Sequence, residues 1–269
     1  MMKYVKAPVT WFGSKSRHLH WLLPLFPQHQ VFVDVFGGSG SVLLGKEPSP
    51  VEVWNDRDER LVNLFRVLRN EMLSVKLQQQ LELTPYSRQE FQYCRSSVLS
   101  SDPVENARRF VVNCRQSHGG IGGNWSYSKG STASGISSVV RRYLAGVERL
   151  PEIVSRLRTV QVENLDWRDV LIRYDGPDTL FYMDPPYVLH TRVRGSYLHD
   201  FDDKEHQELV RILPTLSGKV LLSGYESPLY APLQNMGWEV IREPVIATTS
   251  RRRTERVECI WMNFRRKAA

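Results

Sequence analysis

The sequence Asp-Pro-Pro-Tyr occupies residues 184–187, directly after the apolar run of residues 180–183. Proline has no backbone N–H, and a residue before proline avoids the helical region, so Asp184 and Pro185 are both expected to be extended. The Asp184 carboxylate and the Pro185 carbonyl then form a fixed pair of acceptors that can orient the lone pair of an amino group. Tyr187 offers a flat face for a stacked ring. This pattern favours methylation of a planar amine, with a simple proline-rich turn as the alternative.

A glycine-rich turn follows an earlier apolar run, in the sequence VFVDVFGGSGSVLL of residues 31–44. Gly37, Gly38 and Gly40 precede an apolar helical pattern, and small residues at such a turn let a ligand approach the backbone closely. The pattern is typical of a cofactor-binding turn at the carboxyl end of a parallel strand. Its spacing differs from the GxGxxG fingerprint, and many glycine turns hold no ligand.

An acidic residue also ends the next apolar run, VEVWND, at residues 51–56. An acid at the end of the second strand is placed to accept hydrogen bonds from ribose hydroxyls, and we assign this role to Asp56. The alternative is a helix N-cap for the following segment, a role that Asp56 or Asp58 can fill without any ligand.

Strands and helices must position these residues, and the patterning of the chain supplies both. Residues 31–70 read as strand, turn, strand and helix, the alternation that builds a parallel sheet. Residues 71–157 read as helices around the loop HGGIGGNWSYSKGSTASG, and strands alternate with helices again from Val160 onward. The sequence therefore predicts an α/β fold in which one sheet is interrupted by a mainly helical insertion.

Composition places the chain among ordinary globular proteins. Its 269 residues, 41% of them hydrophobic, suffice for one large domain. The 36 Lys and Arg outnumber the 29 Asp and Glu, and the formal charge of +7 attracts polyanions, although many basic proteins bind none. Three widely spaced cysteines (Cys94, Cys114 and Cys259) predict reduced thiols and neither a zinc site nor a disulfide framework. Without an apolar run of bilayer length, we expect a soluble, cytoplasmic protein.

Five short motifs resemble, in order, those of the Dam-like (alpha-class) DNA adenine N6-methyltransferases. They are WFGSK (residues 11–15), DVFGGSG (34–40), WNDRD (54–58), NLDW (164–167) and DPPY (184–187). Members of this family use S-adenosylmethionine and insert a target-recognition region ahead of the Asp-Pro-Pro-Tyr motif. The resemblance implies a Rossmann-like class I methyltransferase fold, with a discontinuous catalytic domain (1–70 and 158–269) and an inserted DNA target-recognition domain (71–157).

The resemblance also implies roles for individual residues. The residues that would hold S-adenosylmethionine, or its product S-adenosylhomocysteine, are Trp11, Gly13, Lys15, Asp34, Phe36, Gly37, Gly38, Ser39, Gly40, Asp56, Asp166 and Asp184. Those that would act on a flipped-out adenine are Asp184, Pro185, Pro186 and Tyr187. Within the cofactor, Asp56 would meet the ribose and Asp166 the adenine. Simpler alternatives are a core tryptophan at Trp11, a solvated charge at Lys15 and a helix N-cap at Asp166.

DNA contacts in the inserted region are inferred mainly from its position. The candidates are Asn113, Arg115, His118, Asn124, Trp125, Tyr127, Lys129, Arg141 and Arg142, together with Arg252 in a basic stretch near the last strand. Cationic and polar members suit phosphates and base edges, and the aromatic members can wedge between bases. A flexible polar loop is the alternative. Because Thr10 stands where some GATC-reading relatives have a basic side chain, the sequence does not predict GATC as the recognition site.

The expected partner is double-stranded DNA, with no metal and no membrane, and the expected assembly is a monomer or weak dimer in a prokaryotic or phage-infected cell. Two rival functions stay open. One is an amino methyltransferase that acts on cytosine N4 or on an RNA base, because two acceptors and a ring can orient any exocyclic amine. The other is a catalytically silent DNA-binding relative. A restriction-modification, phage or housekeeping role is likewise open.

Overall fold

The predicted alternation of strands and helices is present in the structure, a computed structural model that describes residues 4–120, 122–188, 201–249 and 252–266, without the side chains of 246–255. The strands are β1 (Val31–Asp34), β2 (Val51–Asn55), β3 (Thr132–Ala133), β4 (Ile136–Ser137), β5 (Val160–Glu163), β6 (Thr179–Met183), β7 (Lys219–Tyr225), β8 (Glu239–Thr249) and β9 (Arg252–Met262). The helices are α1 (Leu19–Leu22), α2 (Ser41–Gly45), α3 (Glu59–Arg69), α4 (Glu71–Leu83), α5 (Arg88–Ser96), α6 (Pro103–Gln116), α7 (Ser138–Val147), α8 (Leu150–Leu157), α9 (Trp167–Tyr174), α10 (Asp203–Ile212) and α11 (Ala231–Asn235).

Two units make up the chain. The first comprises Met1–Trp21, Gly37–Glu47 and Asp58–Asn164, and the second comprises Leu22–Phe36, Pro48–Arg57 and Leu165–Ala269. Residues 71–157 contain helices α4 to α8, as the sequence pattern predicts, together with the short β3–β4 hairpin. The same unit also contains α3 and the glycine turn, so the separate inserted domain at 71–157 stays a prediction.

The second unit contains six strands of a seven-stranded sheet, in the order β2-β1-β6-β7-β9-β8. β1 pairs in parallel with β2 and with β6, and β6 pairs in parallel with β7. β9 is antiparallel to both of its neighbours, β7 and β8. Because β1, β2 and β6 run in one direction, their carboxyl ends lie on a common edge of the sheet, where α/β proteins bind ligands.

The apolar runs of the sequence are the buried strands of this sheet. All five residues of β6 are buried, as expected for a parallel strand covered on both faces. Val33 of β1, Phe181 of β6 and Trp261 of β9 belong to one continuous hydrophobic core. The strands that end at the carboxyl edge are therefore packed in the hydrophobic core.

Polar side chains set the beginnings of the helices in the first unit. Asp58, Asn70, Ser87 and Asp102 each accept a hydrogen bond from a backbone N–H in the first turn of α3, α4, α5 and α6, respectively. Such N-caps satisfy donors that the helix itself leaves unpaired. Within the described part of the chain, no helix is long and apolar enough to cross a bilayer, and no three His, Cys, Asp or Glu side chains cluster as metal ligands.

Candidate active site

The Asp-Pro-Pro-Tyr segment begins where β6 ends, at Met183. Asp184 is partly exposed, Pro185 is buried, and the Tyr187 side chain is only 9% exposed. The strand therefore delivers an acid to the carboxyl edge and the chain then returns its tyrosine ring to the interior.

The Tyr187 hydroxyl is held by two residues of neighbouring strands. It donates to Oε1 of Glu258 on β9 and lies 3.2 Å from Oγ of Ser223 on β7. Its ring packs edge-on against Tyr225, with 4.6 Å between centroids. Burial, followed by the charges of Asp184 and Glu258, raises the pKa of Tyr187 well above its usual value. Tyr187 is therefore a protonated, fixed ring and not a base.

Two acids converge on the edge of the sheet next to Tyr182. Asp34, at the end of β1, is buried, and the N–H of Val35 donates to the Tyr182 carbonyl at 3.0 Å. Burial, then the charges of Asp184 and Asp34, raises the pKa of Tyr182 well above its usual value. Asp34 pairs with Tyr182 in the parallel register and Asp184 directly follows β6, so both acids lie at the carboxyl ends of two neighbouring strands.

Asn55, which the sequence analysis did not identify, connects the segments that follow β1 and β5 at this edge. Its Nδ2 donates to the carbonyls of Val35 (2.9 Å) and Leu165 (3.2 Å), and its Oδ1 accepts from the N–H of Leu165 (2.8 Å). The two acids that follow these tied positions are Asp56 and Asp166. The signal was present as the buried asparagine in "VWND", since a buried amide must find partners.

Of the acids considered as helix N-caps, Asp58 and Asp166 serve in this role, at α3 and α9. Asp58 caps α3 through the N–H of Arg60, so Asp56 does not serve as that cap. Asp166 caps α9 through the N–H of Arg168 and forms ion pairs with Arg168 and Arg57. The capping alternative is thus correct for Asp166, whereas its contact with a cofactor adenine stays a prediction.

The glycine turn lies in the first unit, next to Trp11. Gly38 has a φ of 50°, and a Cβ there would lie 3.0 Å from Cδ1 of Trp11. Gly40 has a φ of 72° and precedes α2, and its N–H donates to the Gly37 carbonyl at 2.8 Å. Glycine is therefore required at both positions, for conformation and for the approach of the tryptophan ring.

Ser39, within this turn, and Lys15, in the first unit, are both buried polar residues. Ser39 is 2% exposed, and in the described part of the chain its Oγ has no hydrogen-bond partner. Lys15 is 4% exposed, and its Nζ donates to the Gly13 carbonyl at 3.4 Å. The simpler alternative from the sequence, a solvated charge at Lys15, is therefore wrong. A buried unpaired hydroxyl beside a glycine turn fits a polar ligand group such as those of S-adenosylmethionine. Phe36, by contrast, packs against Phe201 in the second unit.

Trp125 lies at the centre of an aromatic cluster on the first unit. The Trp125 and Tyr127 rings stack with an interplanar angle of 15°, and the guanidinium of Arg88 lies 4.6 Å from the Trp125 ring centroid. Tyr86 contacts the same ring at 5.6 Å, and its hydroxyl donates to the Ser126 carbonyl at 2.8 Å. Arg88 was missed in the sequence because it lies 37 positions from Trp125, in another element.

The remaining DNA candidates separate into surface and interior residues. Those that are exposed are His118, Asn124, Lys129 and Arg142. Arg141 pairs with Glu148 at 2.8 Å. The side chain of Arg252 lies outside the described residues.

Two candidates are turned inward and require correction. The Arg115 guanidinium donates to the carbonyls of Pro8 (2.6 Å) and Ala7 (3.2 Å), and burial lowers the pKa of Arg115 to about 10. Asn113 donates to the Cys94 carbonyl at 3.1 Å. These side chains tie backbone segments together inside the first unit, so a role in contacting phosphates or bases does not fit this geometry.

A mainly parallel sheet with acids at adjacent strand ends is typical of α/β proteins, which bind their ligands outside the carboxyl ends of the strands. Residues 11–241 match the family model of the D12 class N6 adenine-specific DNA methyltransferases, and the chain belongs to this family. Modification methylase StsI of Streptococcus sanguinis is 36% identical over 81 residues, or 30% of this chain and 12% of that protein. The match therefore spans about an eighth of the length of that relative.

Proposed function

We propose that this chain transfers a methyl group from S-adenosylmethionine to the N6 amine of an adenine flipped out of double-stranded DNA. The observation that carries the proposal is the segment after β6: an acid at the carboxyl edge, a stiffened backbone and a buried tyrosine ring whose hydroxyl is held by Glu258. Membership of an adenine-specific family supports adenine as the base.

In this mechanism, the protein aligns the amine and removes the base from the duplex. The Asp184 carboxylate and the Pro185 carbonyl accept hydrogen bonds from the N6 amine, which turns the nitrogen lone pair away from the protein acceptors. The Tyr187 ring stacks on the extruded adenine and offsets part of the cost of unstacking it. Because the pKa of Tyr187 is raised, the phenol does not take a proton from the amine.

The residues proposed to hold the cofactor are those that the sequence motifs supply. They are Trp11, Gly13, Lys15, Asp34, Phe36, Gly37, Gly38, Ser39, Gly40, Asp56, Asp166 and Asp184. The Oγ of Ser39 would accept a hydrogen bond from a polar group or donate one to it. When bound, S-adenosylmethionine supplies a methyl group activated by a positive sulfur.

We further propose that the surface around Trp125 contacts the DNA, as part of a recognition region within residues 71–157. The exposed cations support this role, because they would contribute a salt-dependent attraction to phosphates. The modification function in the name of StsI suggests that this chain too marks DNA in a restriction-modification system.

The decisive experiment is expression of the chain in a host without DNA methylation, followed by single-molecule sequencing and mass spectrometry of the nucleosides. We expect N6-methyladenine at one short sequence, and none from the Asp184→Ala variant. N4-methylcytosine would support the rival amino methyltransferase. An unmodified genome, together with no calorimetric binding of S-adenosylmethionine, would support the silent DNA-binding relative.

A further inference from the structure

Two hydroxyls meet one buried carboxylate oxygen behind the catalytic tyrosine. Oε1 of Glu258 accepts from the Tyr187 hydroxyl and, at 2.9 Å, from Oγ of Ser223. Glu258 is 3% exposed and Ser223 is fully buried. The three residues come from separate segments, since Ser223 lies on β7, Glu258 on β9 and Tyr187 after β6.

This arrangement holds the tyrosine at both ends of its side chain. The backbone end follows two prolines, which restrict φ. The far end is fixed by the hydrogen bond to Glu258, although the χ2 torsion of a tyrosine is otherwise broad. Tyr225 packs edge-on against the ring. A phenylalanine at this position would keep the packing and lose the hydrogen-bonded end.

Packing alone does not explain an acid at this place in β9. The next four residues, Cys259 to Met262, are buried and apolar, and an apolar side chain at 258 would suit that environment. Burying a carboxylate is costly unless hydrogen bonds compensate it. Tyr187 and Ser223 supply such bonds, so the acid and the catalytic ring form one unit.

We infer that Glu258, assisted by Ser223, is a positioning residue for methyl transfer: it fixes the Tyr187 ring at the angle on which the target adenine stacks. This inference rests on the proposed function. Glu258 acts through Tyr187, so its removal should lower kcat and leave the affinity for S-adenosylmethionine unchanged.

Two variants of similar length separate the acceptor from the charge. Glu258→Gln and Glu258→Met are both neutral, but only glutamine keeps an oxygen that accepts the hydroxyls. We expect Glu258→Gln to keep kcat within about threefold of the wild type, and Glu258→Met to lose roughly 10- to 100-fold, the range for a small misplacement of a reacting group. The readout is transfer of radiolabelled methyl groups to unmethylated plasmid DNA.

A double-variant cycle tests whether Glu258 acts through the tyrosine hydroxyl. Tyr187→Phe should lower kcat by about the same factor as Glu258→Met, and the double variant should be no slower than the slower single variant, because both changes break one interaction. Glu239→Gln is the matched control: this glutamate pairs with Arg266 at 2.7 Å on β8, and its variant should retain wild-type kcat.

Three results would overturn the inference: full kcat in Glu258→Met, an equal loss in Glu258→Gln, or a double variant slowed by the product of the single factors. If Glu258→Met does not fold by circular dichroism, Ser223→Ala and Tyr187→Phe form the cycle, with coupling expected and additivity contradicting it. A wild-type chain that transfers no methyl groups refutes the proposed function instead.

Discussion

Tyr187 and Tyr127 are held in different ways, and the difference matches the roles that we propose for them, in aligning the base and in contacting DNA. The Tyr187 ring is 9% exposed and its hydroxyl is fixed by a buried carboxylate, whereas Tyr127 is 55% exposed and contacts Trp125 and Arg88 through its face. A hydrogen bond imposes one orientation, but stacking contacts tolerate small rotations. A ring that must align a reacting amine needs the first arrangement, and a ring that meets a long, deformable duplex can use the second.

The largest expected effect is the loss of kcat on substitution of Asp184, in the same segment as Tyr187. Asp184→Ala removes the carboxylate that we propose orients the amine, and kcat should fall by roughly a thousandfold, because such preorganised polar contacts contribute most in a closed site. The thermal midpoint should change little, since Asp184 is partly exposed. Methyl-transfer assays measure the loss, with the exposed Asp203→Ala as a control that keeps full activity. An active Asp184→Ala enzyme would remove the basis of the proposed mechanism.

The second prediction separates interior cations from surface cations in the helical unit. Arg115→Met should lower the free energy of unfolding by about 2–4 kcal/mol, because it leaves the carbonyls of buried Pro8 and partly buried Ala7 without their charged donor. The exposed Arg142→Met should change it by less than about 0.5 kcal/mol. Urea denaturation gives both values. Equal stabilities would show that Arg115 is not a structural residue.

The third prediction concerns the Ser39 hydroxyl in the glycine turn. Ser39→Ala should weaken binding of S-adenosylmethionine by about fivefold to tenfold, the value of one ordinary hydrogen bond. It should not lower the free energy of unfolding, because no hydrogen bond of Oγ to the described residues is lost. Calorimetry and urea denaturation measure the two quantities. A destabilised variant with unchanged cofactor affinity would assign Ser39 to the fold instead.

The smallest effects are expected for DNA affinity, on substitution of the aromatic cluster around Trp125. Tyr127→Ala or Arg88→Ala should raise the Kd for duplex DNA by about threefold to fivefold, because each removes one exposed side chain that can form a stacking or cation–π contact with the DNA. The kcat at saturating DNA should be unchanged. Fluorescence anisotropy at fixed salt measures the affinity. Tyr93→Ala is the control, because Tyr93 is equally exposed and stacks with Arg109 elsewhere in this unit.

Local patterns predicted the strands and the acids at their ends, but not the contacts that join distant segments. The alternation of residues 31–70 and the end of β6 at Asp184 follow from rules that operate over a few residues. The roles of Arg115, Asn55 and Glu258 depend on partners 107, 110 and 71 positions away. Such partners are defined only by the folded chain. For this reason the sequence analysis predicted Arg115 as a DNA-contacting residue.

The separation of 71 residues between Tyr187 and Glu258 also sets an order of assembly. During synthesis the Asp-Pro-Pro-Tyr segment is made well before β9, and its tyrosine can be fixed only after β9 has paired with β7. Contacts of such long range form late because the intervening loop must first be closed. The motif thus exists in the nascent chain before it has a defined geometry, and methylation competence should appear as one of the last events of folding.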